Sequence, residues 1–182
     1  MLLRNIRDIL DSYIKKNDGA TAIEMAFIAL PLCYFMIGII EIALMFTTSI
    51  VLEGATSDAS RLVRTGQVQQ AGADGQSMFE DALCDAMSVL ASCDDISYEV
   101  VQIGDGWGGA AGNSANFDDD GGFQSQGFDP GGVSDVVLIR AVYDYPLKTP
   151  IISDFFGDPG KNTRLMMSTI VLQTEPYDFE DD

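Results

Sequence analysis

"AIEMAFIALPLCYFMIGIIEIALMF", Ala22 to Phe46, carries no charge except Glu24 and Glu41. As an α-helix this run would measure about 37 Å, enough to cross a hydrocarbon core of about 30 Å with some tilt. We therefore read one transmembrane helix, spanning 20–46 once its small-residue entry is included. Glu24 stands where the apolar helix has already begun. A carboxylate in hydrocarbon costs several kcal/mol unless it finds a partner, so such a residue is by default a candidate for function.

The charges on either side of the run set its orientation. Arg4, Arg7, Lys15 and Lys16 precede it, whereas no base follows Phe46 until Arg61. The positive-inside bias puts the N-terminus in the cytoplasm and the C-terminal portion outside. An ordinary secretory signal is a poor fit: the polar segment is long, the apolar run is too long, and no small-residue cleavage site follows it. Within the basic leader 1–19, Leu2, Leu3, Ile6, Ile9, Leu10, Tyr13 and Ile14 share one helical face, which suits a helix lying on the inner membrane surface. That pattern stops at Asn17-Asp18-Gly19. Gly19 can be read as a hinge between two helices, with Asn17 or Asp18 capping the second.

Composition narrows the chemistry. The 182 residues allow one ordinary domain beside the membrane segment, and ten bases against 28 acids give a formal charge of -18. That balance argues against nucleic acid as a partner, and against a peripheral domain held on anionic lipid, since electrostatics would repel both. The chain contains no histidine, which removes the usual general base, the commonest zinc ligand and any Ser-His-Asp triad. No cofactor and no metal site is expected, and the chain does not read as an enzyme.

Residues 47–182 should form the outer domain. Thr48, Val51, Leu52, Ala55, Ala59 and Leu62 recur at helical spacing, so the membrane helix should continue into this domain, with Gly66 as its stop. A second helix is predicted over Ser77 to Leu90, burying Met78, Phe79, Leu83, Met87 and Leu90. Cys84 and Cys93 fall in the part placed outside, where a disulfide across the short loop is the favoured reading and two reduced core thiols the alternative. Cys33 reads as packing within the membrane helix. Strands are predicted at Ile96 to Ile103, Val136 to Tyr145 and Leu165 to Thr174, the middle one alternating as if one face were covered. The fold class is α+β: a long N-terminal helix against an antiparallel sheet of three or four strands.

Between the strands lies a Gly- and Asp-rich loop, 104–132, with Trp107, Phe117, Phe123 and Phe128 but no base. A loop of that length is expected to be mobile or to dock on a neighbouring subunit. Asn116, Asp118, Asp120 and Gly121 match the first half of a calcium loop, yet the twelfth position is Gly127 where a bidentate Glu is needed. The terminal YDFEDD reads as a solvated acidic tail.

The stretch "GATAIEMAFIALPLCYFMIGIIEIALMFTTS", Gly19 to Ser49, resembles the N-terminal signature of the TadE-like family, pseudopilins of tight-adherence (Flp, type IVc) pilus systems. The shared elements are a glycine before the apolar run, small residues, an acid near its start, a proline at mid-helix and a second Glu near its far end. A weaker likeness lies in "YDYPLKTPIISDFFG" and "STIVLQTEPY". The resemblance implies a pilin-like outer domain and cleavage by a prepilin peptidase between Gly19 and Ala20, which makes Glu24 the fifth residue of the product. Met25 stands where related prepilins carry Tyr or Phe. Cleavage would expose an ammonium on Ala20 one helical turn from Glu24, and in pilins generally such a pair forms between neighbouring subunits. Glu41, roughly 260° around the helix from Glu24, would serve a separate purpose. It could reach up to headgroups or meet another subunit. Pro31 is expected to kink the helix.

The leading functional reading is thus a minor pilin or pseudopilin of the bacterial inner membrane or of the pilus itself. Its partners would be other pilin subunits, pilus assembly membrane proteins, the prepilin peptidase and the lipid bilayer. The alternative is an uncleaved single-pass protein whose outer domain binds an envelope partner.

Overall fold

A computed structural model describes residues 18–177. The surface helix expected before residue 18 and most of the acidic tail lie outside the described residues. The chain divides into two units, Met1–Ile42 and Ala43–Asp182. The division falls slightly before the expected boundary at 46 because Met45 already belongs to the domain core.

One helix, α1, runs Asp18–Arg64, unbroken through Pro31. Its Ala43–Arg64 part lies in the second unit, and the reason it stays helical beyond the apolar run is the predicted stripe. Thr48, Leu52, Ala55, Ala59 and Val63 are buried on one face. Val51 and Leu62, expected on that stripe, are only partly buried and pack at its margin. The helix ends where anticipated: Gly66 has φ 79°, a left-handed conformation that glycine adopts without steric cost, and its N–H donates to the Val63 carbonyl.

A short helix α2 (Gln67–Gln70) leads into α3 (Gly75–Met87). The second helix therefore starts and stops two or three residues before the predicted limits. Its buried face is Gly75, Phe79, Leu83 and Met87, an i, i+4, i+8 row, whereas Met78 points outward and Leu90 falls beyond the end. Cys84 and Cys93 form the expected disulfide, with their Cα atoms 5.2 Å apart. It ties α3 to the entry of the sheet.

The sheet begins with β1 (Ile96–Ile103). After it come α4 (Trp107–Ala110), β2 (Asn116–Phe117) and β3 (Phe123–Gln124), then β4 (Val136–Pro146), α5 (Pro150–Phe156) and β5 (Thr163–Gln173). The main sheet is three-stranded and antiparallel in the order β1-β4-β5, and β2 and β3 form a separate hairpin. The long helix followed by a small antiparallel sheet is the α+β arrangement read from the sequence.

The core lies between the sheet and the helices. Val137, Ile139, Ala141 and Tyr143 of β4 point to it, with Ile96 and Val100 of β1 and Leu52, Ala59, Phe79 and Leu83 from the helices. Each valine, leucine, isoleucine or phenylalanine among them contributes about 1.5–3 kcal/mol on removal from water. The opposite face of β4 was expected to be open. Instead Val136, Leu138, Arg140 and Val142 are buried as well, so the central strand is covered on both sides.

The Gly- and Asp-rich segment makes the difference. It is not a structureless loop: it holds α4 and the β2–β3 hairpin. Residues 127–129 also run parallel beside β1, with Val100 N–H donating to the Gly127 carbonyl at 3.0 Å and Asp129 N–H donating to the Val100 carbonyl at 2.7 Å. Phe128 docks within the chain, its ring 5.7 Å from Phe79 and 6.4 Å from Tyr98. Phe117 and Phe123 stack edge to face across the hairpin.

Candidate assembly site on the N-terminal helix

The candidate site is the first turns of α1. Gly19 and Ala20 lie within the helix, which begins at Asp18, and a methyl group on Gly19 would meet nothing within 4 Å. The helical rise places Glu24 one turn beyond Ala20. The Glu24 side chain is exposed and has no ion-pair partner among the described residues. Around it Ile23, Phe27, Ile28, Leu30 and Phe35 are more than half exposed, so the helix presents apolar side chains on every side. A helix apolar all round does not persist in water and needs lipid or protein around it. Its length and composition are those of a membrane span, and the chain fits a single-pass membrane protein.

Glu41 differs from Glu24. It is 7% exposed and is engaged within the chain, so it is not displayed to solvent as Glu24 is. The two acids thus occupy different environments as well as different helix faces. Cys33 is exposed on the helix.

The Ala43–Asp182 unit contains a buried charged pair that sequence reasoning missed. Glu99 on β1 faces Arg140 on β4 directly in register, and their side chains form an ion pair with relative exposures of 0% and 4%. Arg140 also donates to the Asn113 carbonyl, and Glu99 Oε2 accepts the Gln126 N–H at 3.0 Å. The pair therefore pins two points of the 104–132 segment to the back of the sheet. The available signal was an arginine inside the otherwise apolar run VVLIRAVY, but its partner follows only from strand register.

The half calcium motif has a local explanation. Asp118 Oδ1 accepts the N–H groups of Asp120 (3.1 Å) and Gly122, and Oδ2 accepts Gln124 Nε2 at 3.2 Å, so this carboxylate organises the hairpin turn. Glu80 lies near Cys84 and Cys93, but the disulfide occupies both sulfurs. Beside these, the Tyr98 hydroxyl donates to Glu80 at 3.0 Å and accepts from Gln76 at 3.2 Å. Its pKa is raised above the usual value for tyrosine, chiefly by burial.

The chain thus joins an apolar, lipid-length helix, with an acid one turn after Ala20, to a small disulfide-bonded sheet domain. Residues 19–61 match the model of the TadE-like protein family, in agreement with the resemblance read from Gly19 to Ser49. The matched stretch is the span and most of the helix leading into the domain; the C-terminal likeness lies outside it. No curated protein and no solved structure matches the chain. The match covers 43 of the 182 residues, so it is a likeness of the N-terminal helix and not of the whole chain.

Proposed function

We propose that this chain is a minor pilin or pseudopilin needed to assemble tight-adherence pili, held in the bacterial inner membrane with its N-terminus in the cytoplasm. The observation that carries the reading is Glu24: a carboxylate with no ion-pair partner among the described residues, one turn into a lipid-length helix, within the TadE-like match. A prepilin peptidase cuts between Gly19 and Ala20. The new ammonium on Ala20 then supplies the missing positive charge, and the helix dipole favours the carboxylate at the same end.

Pairing within one subunit would neutralise the acid but build nothing. Pairing between subunits neutralises both charges and fixes the axial register of adjacent helices, because a mismatch of one turn leaves two charges in hydrocarbon. Glu41, buried and engaged within the chain, stands apart from this pairing. The other pilin subunits and the assembly proteins of the membrane are the partners this implies.

The test is Glu24→Gln in a piliated strain. Processing should continue while surface pili fall to a small fraction of wild type, and Glu24→Asp should give an intermediate yield. Full piliation with Glu24→Gln would overturn the charge-pairing reading.

A further inference from the structure

We propose that the α5 corner of the outer domain rests on the lipid surface, adding a second membrane contact beside α1. The hydrophobic run ends at Phe46, and this residue, with Met45 and Ser49, lines a cavity of about 480 Å³ together with Phe155, Phe156 and Arg164. The aromatic end of α5 is therefore level with the point where the helix leaves the apolar run.

The patch is bare. Phe155 is 79% exposed, and Phe46, Ile151, Phe156 and Met167 are exposed as well. Five large apolar side chains open to water around one corner of a small domain form the kind of patch that marks an interaction surface. The patch includes Phe46, the last residue of the apolar run, with Leu44 exposed just before it, which argues for lipid rather than a separate protein. Charge agrees. Residues 147–165 carry Lys148, Lys161 and Arg164 against Asp154 and Asp158, with Arg164 paired to Asp158 at 3.2 Å, so this corner escapes the excess of acid in a chain with ten bases and 28 acids overall. A short apolar element flanked by bases, with phenylalanines at its tip, is suited to the headgroup and acyl boundary.

The proposal rests on α1 spanning the bilayer but not on cleavage after Gly19 or on pilus assembly. The chain has a single tryptophan, Trp107, at the start of α4. It follows Ile103, which pairs with Val136 at the end of β4 opposite Pro146 and α5. This gives an internal control.

The experiment uses the full chain reconstituted into phosphatidylethanolamine and phosphatidylglycerol vesicles, with or without acyl-brominated lipid. Three proteins are compared: wild type, W107F/F35W and W107F/F155W. Trp107 should be unaffected by bromine and F35W strongly quenched. F155W emission should fall by about half or more, as for a side chain about 5–10 Å into the interface. Several results would overturn the proposal. F155W could be no more quenched by lipid than Trp107 and open to aqueous acrylamide. It could be shielded from both quenchers in proportion to protein density, as a second copy or partner on the patch would make it. An unquenched F35W would remove the span itself. W107F/F156W is a second reporter should F155W fold poorly.

Discussion

Replacing Arg140 with methionine isolates the contribution of the buried pair to the outer domain. The side chain is lost from a site where Glu99 is wholly buried, and the Asn113 carbonyl loses its donor at the same time. Removing one partner of such a pair typically costs about 3–5 kcal/mol, because the remaining charge stays buried without compensation. For a domain of this size that corresponds to a fall in Tm of about 10–20 °C. Replacing both residues by methionine removes the stranded charge. What the double change adds is the unmet Gln126 N–H, about 1–3 kcal/mol, since the Asn113 carbonyl is unmet in both variants. The double variant should therefore be more stable than Arg140→Met alone. The assay is urea denaturation of the full chain in detergent, followed by far-UV circular dichroism and by Trp107 fluorescence, which reports the pinned segment. A cost below about 1 kcal/mol for the single change, or a double variant no more stable than the single, would refute the reasoning.

Other outcomes follow from separate contacts. Replacing Cys84 and Cys93 by serine should cost about 2.5–3 kcal/mol on the loop-closure estimate, and reductant should then change the wild-type midpoint but not that of the variant. Gly54→Ala, on α1 with nothing within 4 Å of the new methyl group, should stabilise by about 0.5–1 kcal/mol. Gly75→Ala would drive a methyl into the Val68 carbonyl and should destabilise by about 1–3 kcal/mol in the same denaturation series. Burial raises the pKa of Tyr98, Tyr143 and Tyr177 above 10.0, so the folded state holds these protons more tightly than the unfolded chain. Their contribution is present at neutral pH and is lost as pH climbs through the raised folded values. Ultraviolet titration should show Tyr98, Tyr143 and Tyr177 ionising above pH 10.0, with unfolding setting in there.

What the sequence revealed, and what it hid, divides along a physical line. The span, the stripe from Thr48 to Ala59, the Gly66 stop and the three main strands were legible because each rests on local periodicity or on one residue's backbone preference. The disulfide was legible because Cys84 and Cys93 stand nine residues apart beyond the apolar run. Non-local pairings were not. Nothing in the spacing of Glu99 and Arg140 tells that β1 and β4 bring them face to face, so the covering of the back of the sheet went unseen. The glycines and aspartates of 104–132 read as loop composition, yet Asp118 and Phe128 give that segment its own turn and its own anchor. The helix α5 escaped because PIISDFF is too short to show a period. In the candidate assembly site, the place of Glu24 one turn after Ala20 was visible at once. The burial of Glu41 was not, since it depends on what surrounds the helix.

The measurement that bears most directly on the assembly reading is the mass of the chain recovered from sheared pili and from membranes of cells with an active prepilin peptidase. The account predicts a product beginning at Ala20 in both, and the uncut chain when Gly19 is replaced by alanine, a change for which the helix has room. Recovery of chains still beginning at Met1 from working pili would contradict it.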